Sequence, residues 1–151
     1  MMKIVSIAAI VGTMMLAQPA YAQLEAYKDY NINEATSIVT TVKVDSNMLD
    51  YYLEGLKSSW APSNDIAIEL GQLENYSIFS SALPNSGEFN LVLVVNFKST
   101  GDIGPSKAKY EAFMAKWSDE QQKNSRETSK SYPNIRTITG SYIMNEITFN
   151  K

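Results

Sequence analysis

The chain has 151 residues, with 13 basic and 16 acidic side chains, a formal net charge of −3, and neither cysteine nor histidine. Those absences remove disulfide staples, thiol chemistry, Ser–His–Asp catalysis, haem with a His or Cys axial ligand, and the donors that zinc sites need. Only Arg126 and Arg136 carry guanidinium groups and no basic patch is visible, which excludes nucleic-acid binding, since that needs positive charge clustered on one face.

Residues 1–22 read as a signal peptide. Lys3 precedes an uncharged apolar run from Ile4 to Leu16, shorter than the roughly 20 residues of a bilayer-spanning helix. Gln18 and the helix-breaking Pro19 follow, and Ala20-Tyr21-Ala22 fits the A-x-A pattern of a signal peptidase site. Cleavage is expected after Ala22. The remainder is expected in the periplasm or outside the cell, with no membrane attachment after cleavage. It has no Cys to carry a lipid anchor and no second apolar stretch long enough to span.

Residues 23–34 form a polar lead-in, and 35–151 read as a single domain. "ATSIVTTVKV", Ala35 to Val44, is rich in Val, Ile and Thr and predicts the first strand. "DSNMLDYYLEGLKSSW" follows. Leu49, Leu53, Leu56 and Trp60 recur at spacings of four, three and four, which predicts an amphipathic helix capped by Asp45, Ser46 or Asn47. Pro62 is expected to end or kink it. A short second helix follows, capped by Ser63 or Asn64 and closed by Gly71. "LENYSIFSS", Leu73 to Ser81, predicts the second strand, and Pro84, Asn85 and Gly87 the turn after it.

"NLVLVVNF", Asn90 to Phe97, predicts a third strand that is apolar on both faces. Leu91, Leu93, Val95 and Phe97 line one face, and Val92 and Val94 the other. The next helix is expected from the segment after Lys98, with Pro105 in its first turn and an apolar stripe of Tyr110, Phe113, Met114 and Trp117. "SDEQQKNSRETSKS" reads as a solvated helix end and loop. "TITGSYIMNEITF", Thr137 to Phe149, predicts the last strand.

The order βαββαβ is the ferredoxin-like, or split βαβ, arrangement: an α+β fold with a four-stranded antiparallel sheet and helices on one face. The other face needs cover. A second copy of the chain is the simplest one, so Val92 and Val94 are expected at a homodimer interface through the sheet.

The segments "VTTVKVDSNMLDYYLEGLKSSW", "NYSIFSS", "FNLVLVVNFKS" and "TITGSYIMNEI" resemble, in order and residue flavour, the dimeric α/β-barrel superfamily. The resemblance runs from about Ala35 to Phe149, and within the superfamily it is strongest to small exported bacterial members of unknown function. Its haem-binding members use a His ligand, which this chain lacks. Its cofactor-free oxygenases use Asn, Trp and Tyr around an aromatic substrate held between helices and sheet. Residues of those types here are Trp60, Asn75, Tyr76 and Trp117; Tyr52 and Tyr142 could line the same pocket. Trp60 and Trp117 also suit plain core packing. No acidic pair stands out for hydrolysis, and the carboxylates show no metal-type clustering. The resulting expectation is a non-catalytic exported dimer with no cofactor or metal, binding a small apolar or aromatic ligand or a protein partner. The alternative is a cofactor-independent monooxygenase acting on an aromatic or quinol substrate.

Overall fold

The computed structural model describes residues 23–83 and 87–151. The leader read over 1–22, and Pro84 and Asn85 of the expected turn, lie outside the described residues. Four strands form one antiparallel sheet: β1 (Tyr30–Val44), β2 (Asn75–Ser80), β3 (Leu91–Phe97) and β4 (Arg136–Phe149), in the order β2-β3-β1-β4. The helices α1 (Leu49–Gly55), α2 (Ala61–Glu69), α3 (Lys107–Lys116) and α4 (Asp119–Ser131) make up the helical layer. This is the ferredoxin-like α+β fold. Among the described residues no helix is long and apolar enough to cross a membrane.

Pairing settles the faces. Leu91 and Leu93 stand opposite Val42 and Thr40 of β1, and Leu91, Leu93, Val42 and Val44 pack beneath Tyr52 and Leu56 to form the buried core. The odd residues of β3 therefore meet the helices, as its alternation predicts. Asn90 closes this end of the sheet: its amide donates to the Val44 carbonyl at 2.8 Å, and its oxygen accepts from the Val44 N–H at 2.7 Å.

β1 begins at Tyr30 rather than Ala35. Tyr30 pairs with Phe149 and Ile32 with Ile147, so the long β4 draws part of the polar lead-in into the sheet. The register breaks between Ile32 and Thr36. There the Asn145 amide donates to the Asn33 carbonyl at 3.1 Å and to Thr36 Oγ1 at 2.8 Å, satisfying groups that the ladder leaves unpaired.

The helical layer departs from expectation in four places. Met48, not Asp45, Ser46 or Asn47, occupies the N-cap of α1, and no side chain caps it. Asn47 instead takes a left-handed conformation, φ 65°, in the preceding turn, a role Asn tolerates better than most residues. Secondly, Pro62 does not end the helix, and Ser63 and Asn64, expected to cap a separate second helix, lie inside the run and each donate to the Trp60 carbonyl at 2.8 Å. Between α1 and α2 the chain makes a π-helical turn, Leu56–Trp60, and runs on to Glu69. Proline cannot donate to the carbonyl four residues back and crowds it. That carbonyl, on Ser58, accepts instead from the Asn124 side chain of α4 at 2.8 Å. Gly71, at φ 66°, closes the run as expected.

Thirdly, Ser106 caps α3, so Pro105 lies just before the cap instead of in the first turn. Fourthly, the polar segment after Trp117 is a helix in its own right, α4. Ser118 and Gln121 form a reciprocal capping box, a start signal carried by the S-x-x-Q spacing. α4 packs against α1 through small side chains: a Cβ built on Gly55 would lie 2.9 Å from Thr128 Cγ2 and 3.1 Å from the Tyr132 ring.

Candidate functional site

A cavity of about 310 Å³ opens between the helical layer and the sheet. Its floor is Thr40, Val42, Leu93 and Ile138 from three strands; one wall is Tyr52, Leu56, Ser59, Trp60 and Ser63; the other is Ser125, Ser129 and Tyr132, with Arg136. The π-helical turn contributes Leu56, Ser59 and Trp60, which lets a continuous helical run aim an aromatic ring into the cleft. α4 contributes Ser125 and Ser129, one helical turn apart on one face.

The cleft is apolar at its base and polar at its rim. Tyr52 and Tyr132 meet edge to face, with ring centroids 5.1 Å apart at 73°. The Arg136 guanidinium carbon lies 5.0 Å from the Tyr132 centroid and 5.8 Å from that of Tyr52, within cation–π range. Arg136 is the one charged residue lining the cavity, and its Nε is buried without a hydrogen-bond partner among the described residues. Ser59 donates to the Gly55 carbonyl at 2.7 Å, Ser63 to Trp60 at 2.8 Å and Ser129 to Arg126 at 3.1 Å. Ser59 also lies 3.4 Å from the Tyr132 hydroxyl, where either oxygen can be the donor.

Burial pushes the Tyr52 phenol above its ordinary pKa, against the opposing pull of the Arg136 charge and hydrogen bond. Tyr52 is therefore a neutral phenol at physiological pH. The sign follows by linkage: the folded phenol holds its proton longer than the unfolded one. This contribution to stability is complete below the unfolded value of 10.0 and is lost as the pH rises through the raised folded value. Tyr52→Phe is expected to flatten the alkaline fall in stability, as read by urea unfolding on either side of that pH.

Of the residues singled out in the sequence, Tyr52 and Trp60 line the cleft together. Tyr76 stands behind Trp60, edge to face at 5.0 Å and 78°. Its phenol is raised, first by desolvation and then by the charge and hydrogen bond of Asp65. Asn75 projects to the opposite face of the sheet, where its side chain accepts from the Asn96 amide at 2.6 Å. Trp117 is buried between α3 and α4, its ring 5.5 Å from that of Phe113. Tyr142 lies on the face away from the helices, over Gly140: a Cβ built on that glycine would be 2.5 Å from the Tyr142 hydroxyl. Val92 and Val94 share that face, half-buried, with Phe79, Tyr142 and Met144 exposed around them.

Sequence reasoning did not single out Arg136, Tyr132, Ser125 or Ser129 as site residues. Arg136 carried a usable signal, as one of only two arginines. The serines carried none, since their segment reads as solvated. Among the described residues no group of three or more acidic side chains could hold a metal ion.

No family model and no curated protein matches the chain. Among solved structures it is similar to HapK from Hahella chejuensis, with 11% identity over 74% of this chain and 91% of that one, at a TM-score of 0.45. An EthD-family protein from Bacillus halodurans shares 12% identity over 74% of this chain and 97% of that one, at a TM-score of 0.42. A dimeric ferredoxin-like protein of unknown function from Thermobifida fusca shares 8% identity over 78% of this chain and 92% of that one, at a TM-score of 0.38.

Proposed function

We propose that the protein is an exported homodimer whose helix–sheet cleft binds a small apolar or aromatic ligand without transforming it. The observation that carries this reading is the cleft. At about 310 Å³ it lies at the lower end of the range for small-molecule sites. Its base is aliphatic and its walls carry the Tyr52, Trp60 and Tyr132 rings. None of its lining residues is a carboxylate or histidine, the side chains most used for general acid–base turnover.

The dimer is supported by the uncovered sheet face, where Phe79, Tyr142 and Met144 are more than half exposed around Val92 and Val94. Such a patch is unusual on a free monomer. Export is supported by Lys3, the apolar run from Ile4 to Leu16 and the Ala20-Tyr21-Ala22 site.

Native mass spectrometry of protein purified gently from its export compartment tests the reading. The expected result is twice the mass of the chain without residues 1–22, carrying a small added mass that loading with an aromatic probe displaces. A bare polypeptide that takes up no aromatic probe would count against the ligand site. Turnover of a quinol or polyphenol at an enzymatic rate would overturn the non-catalytic part.

A further inference from the structure

Arg136 opens β4 and lies half-buried beside the cleft. A guanidinium removed from water needs an opposite charge or a full set of acceptors. Among the described residues Arg136 forms no ion pair, and its Nε is buried without an acceptor. What surrounds it is the ring faces of Tyr52 and Tyr132. Ring faces attract a cation but are weaker partners than a carboxylate.

The other polar groups of the lining are neutral, among them the hydroxyls of its serines, threonine and tyrosines. Positive charge is therefore concentrated at one end of the cleft. The apolar floor of Val42, Leu93 and Ile138 lies beside it.

We infer that the ligand of the cleft is a monoanionic aromatic carboxylate, with its charged group against the Arg136 guanidinium and its ring on the apolar floor. This deepens the reading of the cleft as a ligand site and rests on it. A carboxylate matches the planar fork of a guanidinium with two parallel hydrogen bonds. A doubly charged phosphate would need more cationic neighbours than one arginine provides.

The test uses two probes of nearly equal shape, naphthoate and its neutral amide, titrated calorimetrically into the full dimeric protein. Naphthoate is expected to bind at least about tenfold more tightly than naphthamide, the least that a hydrogen bond to a charged group contributes. Arg136→Met should abolish that preference, bringing the acid-to-amide affinity ratio to about one whatever happens to the absolute affinities, and Arg136→Lys should restore part of it. Equal affinity of the two probes for the unmodified protein would overturn the anion assignment and leave the aromatic site standing. Failure of both to bind would overturn both. If Arg136→Met instead loses its fold, seen by circular dichroism, the acid-to-amide ratio of the unmodified protein still decides.

Discussion

Val94→Asp is expected to convert the proposed sheet-to-sheet dimer to monomers at micromolar concentration. Val94 stands near the middle of the face away from the helices, opposite Val39 on β1 and Ser77 on β2. Val92, one pleat away, pairs with Phe79. In a two-fold dimer through this face the substitution buries two unpaired carboxylates close to the axis, each costing several kcal/mol. The monomer itself loses little, because a half-exposed strand position tolerates a polar side chain at a cost of about 1 kcal/mol. The expected signature is a halved mass in sedimentation equilibrium with a nearly unchanged urea midpoint. A control change on the helical side, Lys57→Asp, should leave the mass alone. A Val94→Asp protein that stays dimeric would move the interface off the sheet.

Gly55→Val is expected to cost about 2–3 kcal/mol of folding stability, by the overpacking it introduces. Two effects oppose each other at this position. Glycine in a helix is about 1 kcal/mol worse than alanine, so replacing it removes a local penalty. But even a single Cβ would meet Thr128 Cγ2 at 2.9 Å and the Tyr132 ring and hydroxyl at 3.1 Å. Tyr132 cannot yield freely, since its ring is packed against Tyr52 and Arg136. Gly55→Ala should therefore come out near neutral, and Gly55→Val, whose branched side chain adds bulk at the same point, clearly unfavourable. The separation of α1 and α4 that Val forces should also weaken uptake of an aromatic probe by the cleft. Urea midpoints of both variants check the sign; a Val protein as stable as the parent would mean that the close approach does not constrain the packing.

Much of the fold was legible because it follows from simple periods. Leu91, Leu93, Val95 and Phe97 alternate with Val92, Asn96 and Val94, and a strand's two-residue period assigns them to opposite faces whatever surrounds them. Leu49, Leu53, Leu56 and Trp60 mark one helical stripe in the same way. The element order then leaves few sheet topologies.

α4 was not legible because its contact is not made by apolar residues. Thr128 packs on Gly55, while Ser125 and Ser129 border the cleft, and a stripe of small hydroxyl residues has no hydrophobic period to read. Pro62 was misleading for a related reason. Its effect depends on whether the orphaned Ser58 carbonyl finds another donor, and Asn124 supplying one is a contact across 66 positions of chain. Tyr142 shows the limit most clearly. It shares parity with Ile138, yet the two face opposite sides, because β4 pairs Ile138 with Val42 and Gly140 with Thr41, leaving Thr139 as an extra residue. One bulge reverses every side chain after it.

The sequence by itself determined the order of the elements, the two faces of β3, the main helical stripe, and the exclusion of thiol and histidine chemistry. Each of these depends on residue type or local spacing alone. Only the tertiary structure decided the helical run through Pro62, the placing of α4, the face taken by Tyr142, and the meeting of Tyr52, Trp60, Tyr132 and Arg136 around one cleft. Those outcomes depend on register and on contacts between distant segments, and no local period in the chain encodes them.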